Sequence, residues 1–317
     1  MAFPAARASE APEIRRRYGV PDGVRLRADA RECLAWVEGA EEAVRTVAAA
    51  PDDLPLSTRV GRAPLRTLPC AGGPLVVREY RKGGLLRGVR GRRFRGRWRP
   101  LDELVLHRRL ASARVPVPEA VGAVVRRGAV GWRGFLLLRE VDRALDLETF
   151  LYAPEAHPEW PVRDALAEAG RSVRALHDAG VSHADLHPKN LLLDPSTAHA
   201  LVIDLDRARA FDEPLDEEAR LANLVRLGRA VEKHRLRGMR VGRRAALRFL
   251  AGYGGSDAEG RRWLDLVRPR LARALSLRVL WWRLTGQAEP RRSAASAASS
   301  PAKAPLAAAS SRDGGAA

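Results

Sequence analysis

The sequence predicts an α+β protein with a β-rich N-terminal part and a helical C-terminal part. Short apolar runs typical of strands dominate residues 56–140, and helical periodicity dominates residues 141–288. Within the helical part, two short apolar runs frame the turn residues "PSTAH". With 317 residues and 46% hydrophobic content, the chain can bury a core as one large domain or as two lobes.

The first 55 residues contain one plausible helix, "ARECLAWVEGAEEAVRTVAAA", which the turn residues "PDDLP" close. We expect residues 1–55 to be a helical extension without chemistry. Residues 56–140 then combine the strand-like runs "PLVVREY", "VPVPEAVGAVV" and "GFLLLRE" with the helical stretch "LDELVLHRRLASA". This mixture predicts an N-terminal lobe that is mostly β.

In the C-terminal lobe, expected over residues 141–288, "VRDALAEAGRSVRALHDAG" has helical spacing and ends at Gly180, a residue typical of helix ends. The runs "NLLLD" and "ALVIDLD" predict a β-hairpin. From Asp216 to about Leu284 we expect helices, with one break near "GYGGSD" and another at Pro269. Residues 289–317 are a low-complexity Ala/Ser/Pro tail that we expect to be disordered.

The formal net charge of +18 predicts attraction to anionic partners such as nucleic acid, acidic lipid or phosphorylated glycan. Only four of the 56 basic residues are lysine, so codon composition explains the bias as well as function does. Cys33 and Cys70 form neither a disulfide framework nor a metal-ligand pattern, which favours a reducing compartment. Without a signal-peptide pattern or an apolar run of membrane-spanning length, we expect a cytoplasmic protein.

The stretch "VSHADLHPKNLLLD", residues 181–194, carries the chemistry that the sequence suggests. Phosphoryl transfer needs a carboxylate to accept a hydroxyl proton, and oxygen ligands to hold Mg²⁺. Asp185 fits the first role and is our candidate catalytic residue. Asn190, five residues later, and Asp204, at the end of the second hairpin strand, fit the second. The alternative is a polar turn in which Asp and Asn cap backbone groups.

These motifs resemble the eukaryotic-like protein kinase superfamily and, more narrowly, the lipopolysaccharide kinase family, which includes 3-deoxy-D-manno-octulosonic acid (Kdo) kinases and core heptose kinases. The narrower resemblance rests on "VVREYRKGGLLRG", "VPVPEAVGA", "HADLHPKNLLLD", "VIDLDRAR" and "NLVRLGRAVEK". It implies a two-lobed protein-kinase-like fold with ATP and Mg²⁺ in the cleft. It also implies a Kdo or heptose hydroxyl of a lipid A precursor as acceptor.

The chain departs from the usual kinase pattern at several positions. Arg78 occupies the place of the phosphate-binding lysine, with Glu103 as its expected partner and Lys82 as the competing cation. The glycine-rich loop is reduced to Gly61. Ala184 replaces the arginine of the usual catalytic-loop motif, so control by a phosphorylated activation loop is not expected. Only about a dozen loop residues follow the second hairpin strand, which favours a small-molecule or glycan acceptor over a protein.

Weaker candidates surround the catalytic loop. For His183 the alternatives are a substrate contact and a structural role, and the structural role is favoured; His187 is a candidate substrate contact. His177 is expected to be a packed histidine, and Lys189 is either a contact to the transferred phosphate or a solvated side chain.

Between Arg78 and Arg99, ten basic residues stand against Glu79 alone and alternate with apolar and aromatic side chains. That mixture suits an anionic membrane surface and also suits RNA. Residues 261–284 mix tryptophan with arginine and predict either a core helix or a membrane-surface helix.

The sequence therefore predicts an ATP-dependent kinase that phosphorylates a sugar of lipopolysaccharide. We expect it at the cytoplasmic face of the inner membrane, in peripheral contact with an anionic glycolipid acceptor and without nucleic acid. Two alternatives remain open. One is a small-molecule kinase of the aminoglycoside or choline type, and the other is a kinase-like protein without activity that binds acidic lipid or RNA.

Overall fold

The computed structural model describes residues 11–57, 65–80, 98–128, 131–239 and 241–276. The strands are β1 (Val24–Ala28), β2 (Glu32–Val37), β3 (Arg66–Leu68), β4 (Leu75–Glu79), β5 (Ala120–Gly128), β6 (Gly131–Arg139), β7 (Leu145–Asp146), β8 (Val181–Ser182), β9 (Leu191–Asp194), β10 (His199–Val202) and β11 (Arg209–Ala210). The α-helices are α1 (Ala11–Tyr18), α2 (Glu41–Ala49), α3 (Arg99–Ser112), α4 (Leu147–Tyr152), α5 (Val162–Asp178), α6 (Glu217–Arg235), α7 (Arg243–Gly254) and α8 (Asp257–Leu275).

The N-terminal lobe is a six-stranded antiparallel sheet in the order β1-β2-β5-β6-β4-β3. Helix α2 packs against one face through Val44 and Val47, and α3 packs against the other through Leu101 and Leu104. Because both faces are covered, each of the two central strands has a continuous buried apolar run, residues 120–125 in β5 and 134–137 in β6. This packing places Glu103 of α3 beneath the strand that carries Arg78.

The prediction that residues 1–55 form a helical extension is wrong where the structure forms strands β1 and β2. Residues 32–37 are strand β2, and together with β1 they belong to the same sheet as β4 and β6. In β2, Cys33 and Ala35 join the cluster under α3, while Leu34 and Trp36 join the cluster under α2. A strand buried on both faces lacks apolar–polar alternation, so its sequence pattern is hard to distinguish from that of a buried helix.

The C-terminal lobe is built around α5, which packs against α7 on one side and against the β9–β10 hairpin on the other. Gly170 of α5 and Gly252 of α7 allow this close approach. A Cβ atom at Gly170 would lie 2.0 Å from the carbonyl oxygen of Phe249. One at Gly252 would lie 2.1 Å from the carbonyl oxygen of Ala167. The two helices therefore form a firm base for the loop that follows α5.

Two predicted elements of this lobe are confirmed, and one prediction is wrong. The hairpin is present, and α5 ends before Gly180, whose φ of +74° is left-handed. Helix α8, however, continues through Pro269. Proline removes one backbone hydrogen bond, but packing of α8 against α6 and α7 holds the helix together across that position.

Several sequence predictions fall outside the described residues. They are Gly61, Lys82, residues 81–97 of the basic stretch, residues 277–284 of the Trp/Arg-rich stretch and the tail at 289–317. Among the helices that the structure describes, none combines the length and the apolar character needed to cross a bilayer.

Candidate active site

The candidate catalytic loop, residues 183–190, joins β8 to β9 and is organised around His183. This residue is fully buried, and its Nδ1 accepts a hydrogen bond from the backbone N–H of Asp185 at 3.0 Å. Its Nε2 donates to the carbonyl oxygen of Ile203 at 3.0 Å. Burial lowers the pKa of His183, so the ring is neutral, and its two partners fix the tautomer. The histidine therefore has the structural role that the sequence favoured.

Asn190, at the end of the catalytic loop, is hydrogen-bonded to Asp185, near the start of the loop. Its Nδ2 donates to the carbonyl oxygen of Asp185 at 2.9 Å, and its own carbonyl oxygen accepts from the backbone N–H of Ile203 at 3.0 Å. Asn190 is 5% exposed, whereas the carboxylate of Asp185 is 58% exposed. The loop thus combines a solvent-exposed carboxylate at Asp185 with a buried amide at Asn190.

Asp204 follows β10 by two residues and lies beside this loop. Both Asp204 and Asp185 are close enough to His183 for their charges to act on its pKa. Asp204 has a φ of +61°, a left-handed conformation that is uncommon for residues other than glycine and recurs at functional sites. Tertiary structure therefore brings the three candidates Asp185, Asn190 and Asp204 to one place.

A charged cluster of the N-terminal lobe, formed by Arg78, Tyr80 and Glu103, contacts Asp204. Arg78 of β4 donates through Nη1 to Oδ1 of Asp204 at 2.7 Å and through Nη2 to the hydroxyl of Tyr80 at 3.0 Å. The same Nη2 forms an ion pair with Oε2 of Glu103, which also accepts from the Tyr80 hydroxyl. Arg78 and Glu103 therefore form the ion pair expected from the sequence, and Arg78 extends it across the lobes to Asp204.

The charge states in this cluster follow from burial and pairing. Burial alone would raise the pKa of Glu103, but the charge of Arg78 and contacts with His107 and Tyr80 outweigh it and lower the pKa to about 2. Burial opposes the charge of Arg78, yet Glu103, Tyr80 and Asp204 raise its pKa. Burial and the adjacent Glu103 carboxylate raise the pKa of Tyr80. Arginine and glutamate are both ionised, and the phenol stays neutral.

A second ion pair between the lobes was not predicted from the sequence. Arg99, the first residue of α3, donates from Nε to Oδ1 of Asp206 at 2.7 Å and also pairs through Nη2 with Oδ2. Its guanidinium lies 5.4 Å from the centroid of the Tyr80 ring. Two arginines thus bind alternate aspartates of the same loop. The only sequence signal was the "DLD" repeat at Asp204.

Asn223 of α6 is another functional candidate that the sequence did not single out. It is 1% exposed, accepts from the backbone N–H of His183 at 2.9 Å and donates to the hydroxyl of Ser182 at 2.9 Å. Arg226, one helical turn further, donates to the carbonyl oxygen of His183 at 3.0 Å. Helix α6 therefore holds the backbone of the catalytic loop from below.

The remaining candidates are placed as follows. His187 Nε2 lies 3.6 Å from Oδ2 of Asp185, whereas Lys189 is half-buried in the turn before β9. His177 is packed, as expected: its Nδ1 lies 2.9 Å from the Tyr253 hydroxyl, and burial, with a smaller effect of a nearby arginine, lowers its pKa to about 3.

The donor atoms available at the site suit magnesium. Within the described ranges no group of three or more His, Cys, Asp or Glu residues is arranged to hold a metal ion. Mg²⁺, however, takes one or two protein oxygens plus phosphate and water oxygens. Nδ2 of Asn190 is used by Asp185, which leaves its Oδ1 as a ligand atom, and Oδ2 of Asp204 is not used by Arg78.

The chain has a β-rich lobe, a helical lobe and a loop of this geometry, and its Arg78 pairs with Glu103 in the same lobe and with Asp204 in the other. Together these features define a protein of the protein-kinase-like fold. The model of the lipopolysaccharide kinase (Kdo/WaaP) family matches residues 70–253, more than half of the chain. The chain therefore belongs to that family, which confirms the family and the fold class expected from the sequence.

Individual relatives agree with this assignment. A 3-deoxy-D-manno-octulosonic acid kinase of Xanthomonas campestris pv. campestris (strain B100) is 32% identical over 173 residues, covering 53% of this chain and 65% of the relative. The protein of the same name from Vibrio cholerae serotype O1 is 32% identical over 163 residues, covering 50% and 65%. The matched region thus spans slightly less than two thirds of these curated relatives.

The solved structure described as WaaP in complex with acyl carrier protein resembles the chain with a TM-score of 0.50 and 24% identity. The match covers 77% of this chain and 98% of the solved one, and it supports the fold.

Proposed function

We propose that the protein is an ATP-dependent kinase that phosphorylates a sugar hydroxyl of a lipopolysaccharide or lipid A precursor, with Kdo or a core heptose as the acceptor sugar. The main support is the convergence of Asp185, Asn190 and Asp204 around His183, with Arg78 bound to Asp204 from the other lobe. The two curated relatives described above are named as Kdo kinases, which supports the same class of acceptor.

Each residue has a distinct role in the proposed reaction. The carboxylate of Asp185 is accessible to solvent, so it can orient the acceptor hydroxyl and accept its proton as the hydroxyl attacks phosphorus. Asn190 and Asp204 would hold Mg²⁺, which neutralises charge on the nucleotide phosphates when bound. Arg78, held by Glu103 and Tyr80, would contact those phosphates, and Oδ2 of Asp204 can serve the metal while Oδ1 still accepts from Arg78.

Further parts of the proposal concern the setting of the reaction. We place the division between the lobes near residue 140, between β6 and β7. We also propose a cytoplasmic location with peripheral contact to the inner membrane, because the acceptor is a glycolipid and the chain carries a net charge of +18. Gly61 and Lys82 remain candidates for nucleotide contacts.

The test is transfer of labelled phosphate from Mg²⁺–ATP to a panel of lipid A precursors with and without Kdo or heptose, aminoglycosides, choline and a generic protein. An acyl carrier protein belongs among the additives, because the solved structural neighbour was determined in complex with one. We expect labelling of the sugar-bearing lipid A precursors alone. Asp185→Asn should reduce it on the order of 10²-fold or more. The control Asp164→Asn, whose side chain is 50% exposed in the first turn of α5, should not reduce it.

Labelling of an aminoglycoside or choline instead would establish a small-molecule kinase. Absence of labelling, together with binding to acidic vesicles or RNA, would establish the non-catalytic alternative.

A further inference from the structure

The loop from Asp204 to Phe211 links the two halves of the candidate site. It starts at the proposed metal ligand and ends in strand β11, where Arg209 pairs with Ser182, three residues before Asp185. The backbone N–H of Phe211 donates to the carbonyl oxygen of Gly180 at 2.9 Å. This backbone pairing places the end of the loop beside strand β8, which leads directly into the loop that carries Asp185.

Arg207 occupies the middle of this loop in an unfavourable backbone conformation. Its φ of +64° is left-handed, a region in which the Cβ of an L-residue lies too close to the neighbouring carbonyl group. Arg207 is the third residue of a turn that is closed by a hydrogen bond from the backbone N–H of Ala208 to the carbonyl oxygen of Leu205 at 2.9 Å. Strained residues persist where their surroundings impose them, and they concentrate at ligand sites.

Two of the four arginines near this loop have an acidic partner, and the other two have none among the described residues. Arg78 and Arg99 have aspartate partners, as described above. Arg207 and Arg209 are exposed, and within the described part of the chain their side chains form no ion pair or hydrogen bond. Arg207 instead lies within electrostatic range of Arg99, which has the same charge. An anion bound here would relieve that repulsion.

We propose that Arg207 and Arg209 form an oxyanion subsite that binds a carboxylate or phosphate of the acceptor beside the hydroxyl to be phosphorylated. This inference rests on the proposed function. An acidic sugar on a phosphorylated lipid offers both groups, and a guanidinium binds either through two parallel hydrogen bonds. The subsite explains why two exposed arginines stand next to the catalytic loop without a counter-ion.

The decisive variant is Arg207→Gly, because it separates strain from binding. Glycine adopts a left-handed backbone freely, so the melting temperature should stay equal or rise. Loss of the guanidinium should nevertheless raise the acceptor KM about tenfold or more, as expected for one charge-assisted hydrogen bond, with the Kd for Mg²⁺–ATP unchanged. Arg209→Gln should raise the acceptor KM in the same direction.

Arg114 provides a matched control. It is also an exposed arginine with a left-handed φ, +57°, and its side chain forms no ion pair within the described residues, but it follows α3 outside the site. Arg114→Gly should change stability in the same way and leave the acceptor KM unaltered. If Arg207→Gly and Arg209→Gln also leave the acceptor KM within about twofold of wild type, the subsite does not exist.

Two modified acceptors identify the anion. If a carboxyl-reduced acceptor removes the difference between wild type and Arg207→Gly, the subsite binds the carboxylate; if a dephosphorylated acceptor removes it, the subsite binds phosphate. If the wild type labels no acceptor at all, the proposed function fails. In that case, calorimetry of the intact acceptor with wild type, Arg207→Gly and Arg209→Gln tests the subsite separately. Weaker binding by the variants would support the subsite, and equal affinities would exclude it.

Discussion

Glu103→Gln is the most informative test of the interlobe cluster, because it removes one charge and keeps the shape of the side chain. Glu103 is 3% exposed, and it is the buried carboxylate that neutralises Arg78 and accepts from Tyr80. In the variant, Arg78 keeps Asp204 as its remaining charged partner. We expect a large loss of stability with a defined pH dependence.

The magnitude follows from the pKa of Glu103, which folding lowers from an ordinary value of 4.5 to about 2. Each tenfold change in an acid constant corresponds to ~1.4 kcal/mol, so ionised Glu103 contributes about 3 kcal/mol to the free energy of unfolding. That value lies at the low end of the ~3–5 kcal/mol for breaking a buried ion pair, as expected when Arg78 keeps Asp204.

The sign of the pH effect is fixed because the pKa is lower in the folded state. The stabilisation is complete above a pH of about 4.5 and is lost as the pH falls toward 2. Urea unfolding of wild type and Glu103→Gln should therefore differ by about 3 kcal/mol near neutral pH. Below a pH of about 4.5, this difference in the free energy of unfolding should decrease by ~1.4 kcal/mol per pH unit.

The exposed pair between Glu41 and Arg45 serves as a control. Its atoms are 2.7 Å apart, but the side chains are 40% and 58% exposed, so Glu41→Gln should cost no more than about 0.5 kcal/mol. If the Glu103→Gln difference is as small as this, or does not decrease in acid, the description of Glu103 as a buried ionised carboxylate is incorrect.

Three further predictions concern the catalytic loop. Asp185→Asn should lower kcat on the order of 10²-fold or more while Mg²⁺–ATP still raises the melting temperature; activity within a few-fold of wild type would exclude Asp185 as the base. Asp204→Ala should abolish that Mg²⁺–ATP shift, and an unchanged shift would make this aspartate structural. Asn223→Leu leaves the buried backbone N–H of His183 without its acceptor, so the free energy of unfolding measured in urea should fall by ~1–3 kcal/mol. The variant should also lower kcat by a larger factor than it changes the KM for ATP. If stability and kcat both stay at the wild-type level, Asn223 does not position the loop.

The sequence alone was sufficient to predict the polar loop that carries Asp185 and Asn190, and the hairpin after it. The loop and hairpin depend on residues close together in the chain, whose spacing is set by local backbone geometry. The family resemblance added the expected partner of Arg78, which no local pattern identifies. The same local reasoning was wrong for strand β2 and for Pro269, because partners elsewhere in the chain decide both outcomes.

Only the tertiary structure decided how these parts act together. Arg99 and Asp206 are 107 residues apart in sequence, and Arg78 and Asp204 are 126 apart, so neither pair leaves a local pattern. The support of His183 by Asn223 depends likewise on where α6 packs. Local spacing specifies which side chains can do chemistry, but their distances and charge states follow from long-range packing and from the removal of water around buried charges.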